Sequence, residues 1–365
     1  MLPSISASPD LYESATAPEI NIFIKGEFSV GPERNYLRKK RASARYLLKE
    51  YDHTVSDVQL DLREGYTRWV ENPRVDRLAH VQTWISKEAK EKGMGMDLVK
   101  VINSDFVTTR GVLRRIAVSP YKYERDGSKF LCRKYQNVVF MNNVDTESPS
   151  FNKSKGYQSK HSGKLREYGG HKFEQFISNR INSKPKAEFF YIENQCSINS
   201  NVEFCAVFRA QIGEIKVVYN GEIDILTPDG SEYLEAKTQY DSLGYGQDFD
   251  KKALEWWIQT HLSSVKTLVV GLRDQIGIVS KIEHVKTDSL QRYGNWTPDI
   301  CFTFLQAFLK HIRILASNLA DDEILIAERK ANSLEFKFEI LDENEADTRD
   351  LDHNIIEESL KEYFM

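Results

Sequence analysis

The chain has 365 residues, 41% hydrophobic and 11% aromatic, enough for one large core or two modest ones. Its formal net charge of −4 excludes a uniformly basic nucleic-acid binder, so contact with nucleic acid has to come from local patches. The scattered cysteines Cys132, Cys196, Cys205 and Cys301 offer neither zinc spacing nor a disulfide framework, and no signal peptide or apolar run of roughly 18–20 residues is visible, which points to an intracellular protein, nuclear and/or cytoplasmic, with no membrane contact.

In chain order, residues 1–19 are rich in Ser, Pro and Ala and read as a flexible tail. Asn21–Lys25 is a short strand candidate. Arg74–Lys90 reads as a helix, with Val75, Leu78, Val81 and Ile85 at helical spacing. Residues 113–120 and 136–141 read as strands. Ser148–Arg166 contains no acid and carries Lys153, Lys155, Lys160, Lys164 and Arg166 among Ser, Gly and Asn, so 148–166 is expected to be a mobile basic loop. Such a loop is either plain solvated surface or a phosphate-attracting lip.

A helix is expected over 171–182, with Phe173, Phe176, Ile177 and Ile181 on one face. Strands follow at about 203–210 and 214–226, a turn at Thr227–Ser231, and a strand at 232–239. A helix over 250–265 buries Leu254, Trp257, Ile258, Leu262 and Val265, and strands at 267–272 and 276–285 come next. Thr297-Pro298 suits a helix start, and the helix should run to about Asn318. Asp342–Glu358 holds eight acids and one arginine, so 341–365 reads as an acidic tail. The irregular alternation of elements predicts one mixed α/β (α+β) domain over 20–340, with a central mixed sheet, flanking helices and a cleft built on a β-hairpin.

The chemistry concentrates on that hairpin. Strand alternation puts Glu222 and Asp224 on one face, and likewise Glu235 and Lys237 on the next strand. Ionised carboxylates brought this close repel one another unless protonated or joined by a cation. An all-oxygen site suits Mg²⁺ or Mn²⁺, and two ions about 3.5–4 Å apart suit phosphate displacement. Lys237 then serves as a point charge on the nucleophilic water or the scissile phosphate. The plain alternative is a surface ion pair. Against it, Ile223, Ile225, Tyr233 and Leu234 make the flanks apolar.

Acid, then acid-x-Lys across a hairpin, resembles the core of PD-(D/E)xK nucleases. Tyr168-Gly169-Gly170-His171-Lys172-Phe173-Glu174, Gly221-Glu222-Ile223-Asp224 and Tyr233-Leu234-Glu235-Ala236-Lys237-Thr238 resemble the ordered motifs of the DXO decapping exoribonuclease family. Trp256-Trp257-Ile258-Gln259, Val270-Gly271-Leu272-Arg273-Asp274 and Arg110-Gly111…Ser119-Pro120-Tyr121 are similar to further family segments, and the resemblance spans roughly 28–310.

The resemblance implies that Glu174, Asp224, Glu235 and the carbonyl of Ala236 bind metal, two Mg²⁺ or Mn²⁺ ions in family terms, with Glu222 acting through water. It implies that Arg110, Lys237 and Gln259 hold RNA phosphates or the 5′-terminal group, that Cys205 contacts substrate, and that Arg34 adds a phosphate contact. Asp76 is a loose match to a family glutamate. Thr109 replaces a frequent aromatic and Ile225 a frequent cysteine. Neither change removes a ligand, but the first bears on recognition of the cap or terminal base. Read from the residues alone, Cys205 is core filling, and His171 and His261 are structural.

The implied activity is hydrolysis at the 5′ end of single-stranded RNA bearing a phosphate, triphosphate or cap: pyrophosphate release, removal of incomplete or NAD caps, or 5′–3′ digestion. The alternatives are a DNA-end nuclease and a non-catalytic partner of a 5′–3′ exoribonuclease.

Overall fold

The computed structural model describes residues 2–37, 39–73, 78–95, 97–124, 127–144, 156–180 and 197–365, with the backbone alone for 156–162. Strands are numbered β1–β17 and helices α1–α8 along the described chain.

Two sheets form the frame. The larger runs β1 (Ile5–Ser6), β17 (Glu335–Asp342), β16 (Glu323–Arg329), β7 (Ser128–Tyr135), β8 (Val138–Val144), β6 (Phe106–Thr109), β11 (Ile215–Glu222), β10 (Glu203–Ile212), β2 (Ile20–Val30), β3 (Tyr36–Leu37). The smaller runs β5 (Val55–Asp61), β15 (Ile278–Lys286), β14 (Thr267–Arg273), β13 (Tyr233–Tyr240), β12 (Ile225–Leu226), β4 (Tyr46–Leu47), β9 (Ser178–Asn179). Both are mixed: β6 pairs β8 and β11 in parallel, and β13 pairs β14 in parallel.

Helices fill the layers between and outside the sheets. The main core joins α3 (Arg110–Ala117), α5 (Phe249–Leu262) and α6 (Pro298–Ala316) to one face of each sheet. α1 (Ala79–Glu91), α2 (Leu98–Ile102) and the C-terminal α7 (Glu343–Thr348) and α8 (Glu358–Tyr363) cover the other face of the larger sheet. α4 (Gly156–Ile177) covers the other face of the smaller sheet with Phe173, Phe176 and Ile177. A single mixed α/β domain results, as its sequence pattern predicts.

Several local expectations are corrected. Residues 113–120 are mostly helix: Thr109 accepts the Val112 amide at its hydroxyl (3.3 Å), and Val112, Leu113, Ile116 and Ala117 make a buried helical stripe. Residues 156–166 are not loop but the first half of α4, while 148–155 lie outside the described residues. The helix expected over 171–182 therefore begins earlier and ends at Ile177, and 181 and 182 also lie outside. Asp76 and the start of the Arg74–Lys90 helix lie outside too; the described helix is Ala79–Glu91.

The two tails are built in. Ile5–Ser6 pairs with β17, Ala7 is buried, and Tyr12 packs edge-on against Phe304. At the other end, Ile355, Ile356, Leu360 and Phe364 fill the core, which the acidic composition around them obscures.

The stretch 214–226 is not one strand. β11 ends at Glu222 in the larger sheet, and β12 starts at Ile225 in the smaller. The chain crosses between sheets at Ile223-Asp224, with the Ile223 amide donating to the Phe204 carbonyl at 2.8 Å. The hairpin is real for β12 and β13, where Ile225 faces Leu234. At α6, Thr297 is the N-cap residue, but its hydroxyl makes no capping bond.

Candidate active site

The crossing point is where the polar residues gather. Two cavities open here, with the end of β11 and α4 lining both, and Thr109 and Gly111 at the start of α3 edging the second. Glu174, Glu222, Asp224 and His171 line one cavity of about 270 Å³. His171 and Glu222 also line a second, of about 360 Å³, with Arg34, Glu203 and Cys205. Glu222 and Asp224 thus share a cavity although they do not share a strand.

Two glycines set the approach of the flanking helices. A Cβ on Gly221 would lie 3.0–3.2 Å from the Arg110 side chain, including its Cβ, so glycine lets Arg110 lie against β11 without being displaced. A Cβ on Gly271 would lie 2.6 Å from the Phe173 ring, so β14 admits α4 at the depth that brings the adjacent Glu174 to the cleft.

Glu235 is the centre of a buried charge network and is 1% exposed. Lys237 and Gln259 both donate to its Oε1, and Arg110 Nη1 stands 3.6 Å from its Oε2. Lys237 Nζ is also 3.8 Å from Asp224 Oδ2, which accepts the Ala236 amide at 2.9 Å. Arg110 donates to Ser263 at 2.8 Å, and Arg114 donates to Gln259 Oε1 at 2.8 Å, fixing which end of that amide faces Glu235.

Burial pushes the Glu235 carboxyl up, but Lys237 and then Arg110 outweigh it and hold the group below its ordinary value. Burial lowers Lys237, and Glu235 and Asp224 more than restore it, so its ammonium is firmly charged. For the next carboxylates the neighbouring cations do not outweigh burial. Burial, then the charge of Glu235, raises Asp224 well above its ordinary range, with Glu174 and Glu222 adding to it. Burial, then Glu203 and Glu174, pushes Glu222 up to about 8.

These groups ask for a positive partner. Oε2 of Glu235 is buried without a hydrogen bond, and the converging donors are carboxylate oxygens, the set that hard divalent cations take. Among the described residues no three acid, His or Cys side chains already close on one point. Lys237 lies between Asp224 and Glu235 and neutralises the pair from one side. In donor chemistry the carboxylates of Glu174 and Asp224, which line the first cavity, and of Glu235 behind them suit a divalent metal.

The remaining residues of interest divide between the two cavities. Arg34, whose backbone is left-handed (φ 59°), pairs with Glu203 at 2.7 Å beside the second cavity. Cys205 stands opposite Glu222 in the β10–β11 register, and burial pushes its thiol well up. Gln259 does not face an open groove; it is buried inside the network.

The sequence pattern gives no role to Arg114 and only a structural one to His171. Arg114 needs the helical assignment of 110–117 to stand one turn from Arg110. His171 joins both cavities, its Nδ1 3.7 Å from Glu174; burial lowers its pKa, yet the Glu174 carboxylate lifts it to about 9. The His171-x-x-Glu174 spacing on one helix face was the available signal.

A family model described as RAI1 like PD-(D/E)XK nuclease matches residues 25–364. The Decapping and exoribonuclease protein of Homo sapiens is 28% identical over 333 residues, covering 84% of this chain and 78% of its own. Candida albicans Rai1 in complex with pU5-Mn²⁺ superposes with a TM-score of 0.82 at 17% identity, covering 100% of this chain and 99% of that one. Scheffersomyces stipitis Rai1 in complex with (3′-NADP)⁺ and calcium ion gives 0.79 at 17% identity, covering 100% and 99%.

Proposed function

Since the chain belongs to the RAI1-like PD-(D/E)XK nuclease family, we propose that it is a divalent-metal-dependent hydrolase of RNA 5′ ends, acting as a decapping nuclease, a 5′-triphosphate pyrophosphohydrolase or a 5′–3′ exoribonuclease. The observation that carries this reading is the buried Glu235–Lys237–Asp224 network, open on its Asp224 side to a cavity also lined by Glu174 and Glu222. The name of the human relative and the RNA and dinucleotide ligands of the two fungal Rai1 crystals support RNA 5′ ends as the substrate class.

Mg²⁺ or Mn²⁺, as a pair of ions, would be held by Glu174, Asp224, Glu235 and the Ala236 carbonyl, with Glu222 reaching them through water. The chemistry such ions supply when bound is activation of water and neutralisation of charge on the departing phosphate oxygen. The chain's own residues do the rest. Lys237 holds a charge beside the attacking water or scissile phosphate, and Glu235 keeps that ammonium in place. Arg110, anchored on Ser263, presents a donor to the phosphates, and Gln259, anchored on Arg114, acts behind it by donating to Glu235. Arg34 and Cys205 line the second cavity, where the 5′-terminal group or first base fits. An intracellular site of action, nucleus and/or cytoplasm, and association with a 5′–3′ exoribonuclease accompany this reading.

The test is incubation with Mg²⁺ or Mn²⁺ and RNAs ending in monophosphate, triphosphate, an incomplete cap or NAD, beside matched DNA. Cleavage of at least one RNA end, with loss of about a hundredfold or more in Asp224→Asn and Glu235→Gln, is expected. Cleavage of DNA alone, or undiminished cleavage by both variants, would refute the proposal.

A further inference from the structure

We infer that single-stranded RNA leaves the carboxylate site along a cationic and aromatic track at the carboxyl ends of β13 and β14, formed by Lys237, Lys252, Arg273, Arg166, Tyr240 and Tyr245. This inference rests on the reading of the site just given.

The fold places these residues together from four elements. β13 and β14 run parallel, and Tyr240 pairs with Arg273 at their ends. α5 runs back over β13, so that Gln259 reaches Glu235 while Lys252, two turns earlier, reaches the end of the strand. There Lys252 Nζ donates to the Thr238 carbonyl at 3.2 Å and to Gln239 Oε1 at 2.6 Å, 4.8 Å over the Trp256 ring. Arg166 comes from α4 on the opposite face of the sheet.

The charges act on one another. Burial, then Arg273, Lys237 and Arg166, pull the Lys252 pKa down to about 8, and burial, then Arg166, lower that of Arg273. Among the described residues, no carboxylate forms an ion pair with Lys252 or Arg273, whereas neighbouring Lys251 pairs with Glu124 at 2.7 Å. Two of the acids nearby are engaged elsewhere. Asp274 Oδ1 accepts the amides of Ile276, Gly277 and Ile278 at 2.8–3.0 Å, and Glu255 pairs with Lys122 at 2.8 Å. Gathering like charges this way is unfavourable, and a polyanion relieves it.

The aromatic half of the platform is beside them. Tyr245 is 52% exposed, and its ring meets Tyr240 edge-on at 5.2 Å. Arg273 lies 6.0 Å over the Tyr240 ring. Cations tracking a backbone, with exposed rings for bases, are what sequence-tolerant single-strand binding needs. Lys237 to Tyr240 covers about 10 Å of strand, so the track serves nucleotides downstream of the 5′ end rather than the end itself.

The experiment compares RNAs of 2 and 10 nucleotides carrying the 5′ end that is cleaved fastest, with wild type, Arg273→Gln, Lys252→Gln and Tyr245→Ala. The variants should lose about 5–10-fold in kcat/KM on the decamer and stay within about twofold on the dimer. Each removed cation should also flatten the salt dependence of decamer binding by about 0.7 in log–log slope, which a folding defect would not do. Tyr245→Ala alters an exposed side chain and so keeps the fold. Equal losses on both lengths, or no loss on either, would overturn the track alone. A wild type that cleaves neither RNA overturns the reading of the site, and the track with it.

Discussion

At the scale of single residues, the site depends on what Gly221 omits as much as on what its neighbours carry. Adding a methyl there meets Arg110 at Cβ as well as at its flexible end, so the side chain has to shift relative to Glu235. Gly221→Ala should lower kcat/KM by about tenfold or more while shifting Tm little, because a misplaced phosphate donor costs catalysis before it costs packing. Steady-state kinetics and a melting curve on the same sample check this. The acids were legible because acid-x-acid and acid-x-Lys are patterns of spacing, which a sequence preserves. Arg114, and a role for His171 beyond the structural one, were not, because their relevance depends on Gln259 and on a junction between two cavities, both of which are tertiary facts.

At the scale of elements, α4 delivers Glu174 by seating Phe173 in the notch that Gly271 leaves in β14. Gly271→Ala overpacks that notch and should destabilise the protein by about 1–3 kcal/mol, with activity falling as α4 is pushed outward. Denaturant unfolding measures the first effect and cleavage the second. The sequence pattern located β13, β14, β15, α5 and α6 well, because each has a strong apolar period. It failed over 113–120, where β-branched residues imitated a strand although the buried set repeats at helical spacing. It also failed over 156–166, where Gly, Ser and Lys composition outweighed the helix that continues into Tyr168 and Phe173. The break at Ile223-Asp224 was invisible because a chain that changes sheets needs no turn signal.

At the scale of the whole molecule, both chain ends belong to the core. Removing residues 343–365 strips Ile355, Ile356, Leu360 and Phe364 from the larger sheet. At about 1.5–3 kcal/mol for each buried apolar side chain, this takes away most of a typical stability of about 5–15 kcal/mol. The truncated chain should be insoluble or melt far below the full one.

The carboxylates impose a pH dependence as well. Burial, then Glu203 and Glu174, hold Glu222 at about 8, against 4.5 ordinarily, so the native state keeps a proton that the unfolded chain releases. That contribution is complete below 4.5 and is lost as pH rises through about 8. The metal-free protein should therefore melt lower at pH 8.5 than at pH 6, and Glu222→Gln should flatten the profile.

The claim beneath all of this is that acids from α4, the crossing between sheets and β13 jointly hold a divalent cation. Titration of the metal-free protein with Mn²⁺, followed by the paramagnetic signal of the free ion, tests it most directly. Wild type should bind Mn²⁺ saturably and the Asp224→Ala, Glu235→Ala double variant should not, with both proteins folded by circular dichroism. Equal binding by the two would contradict the account.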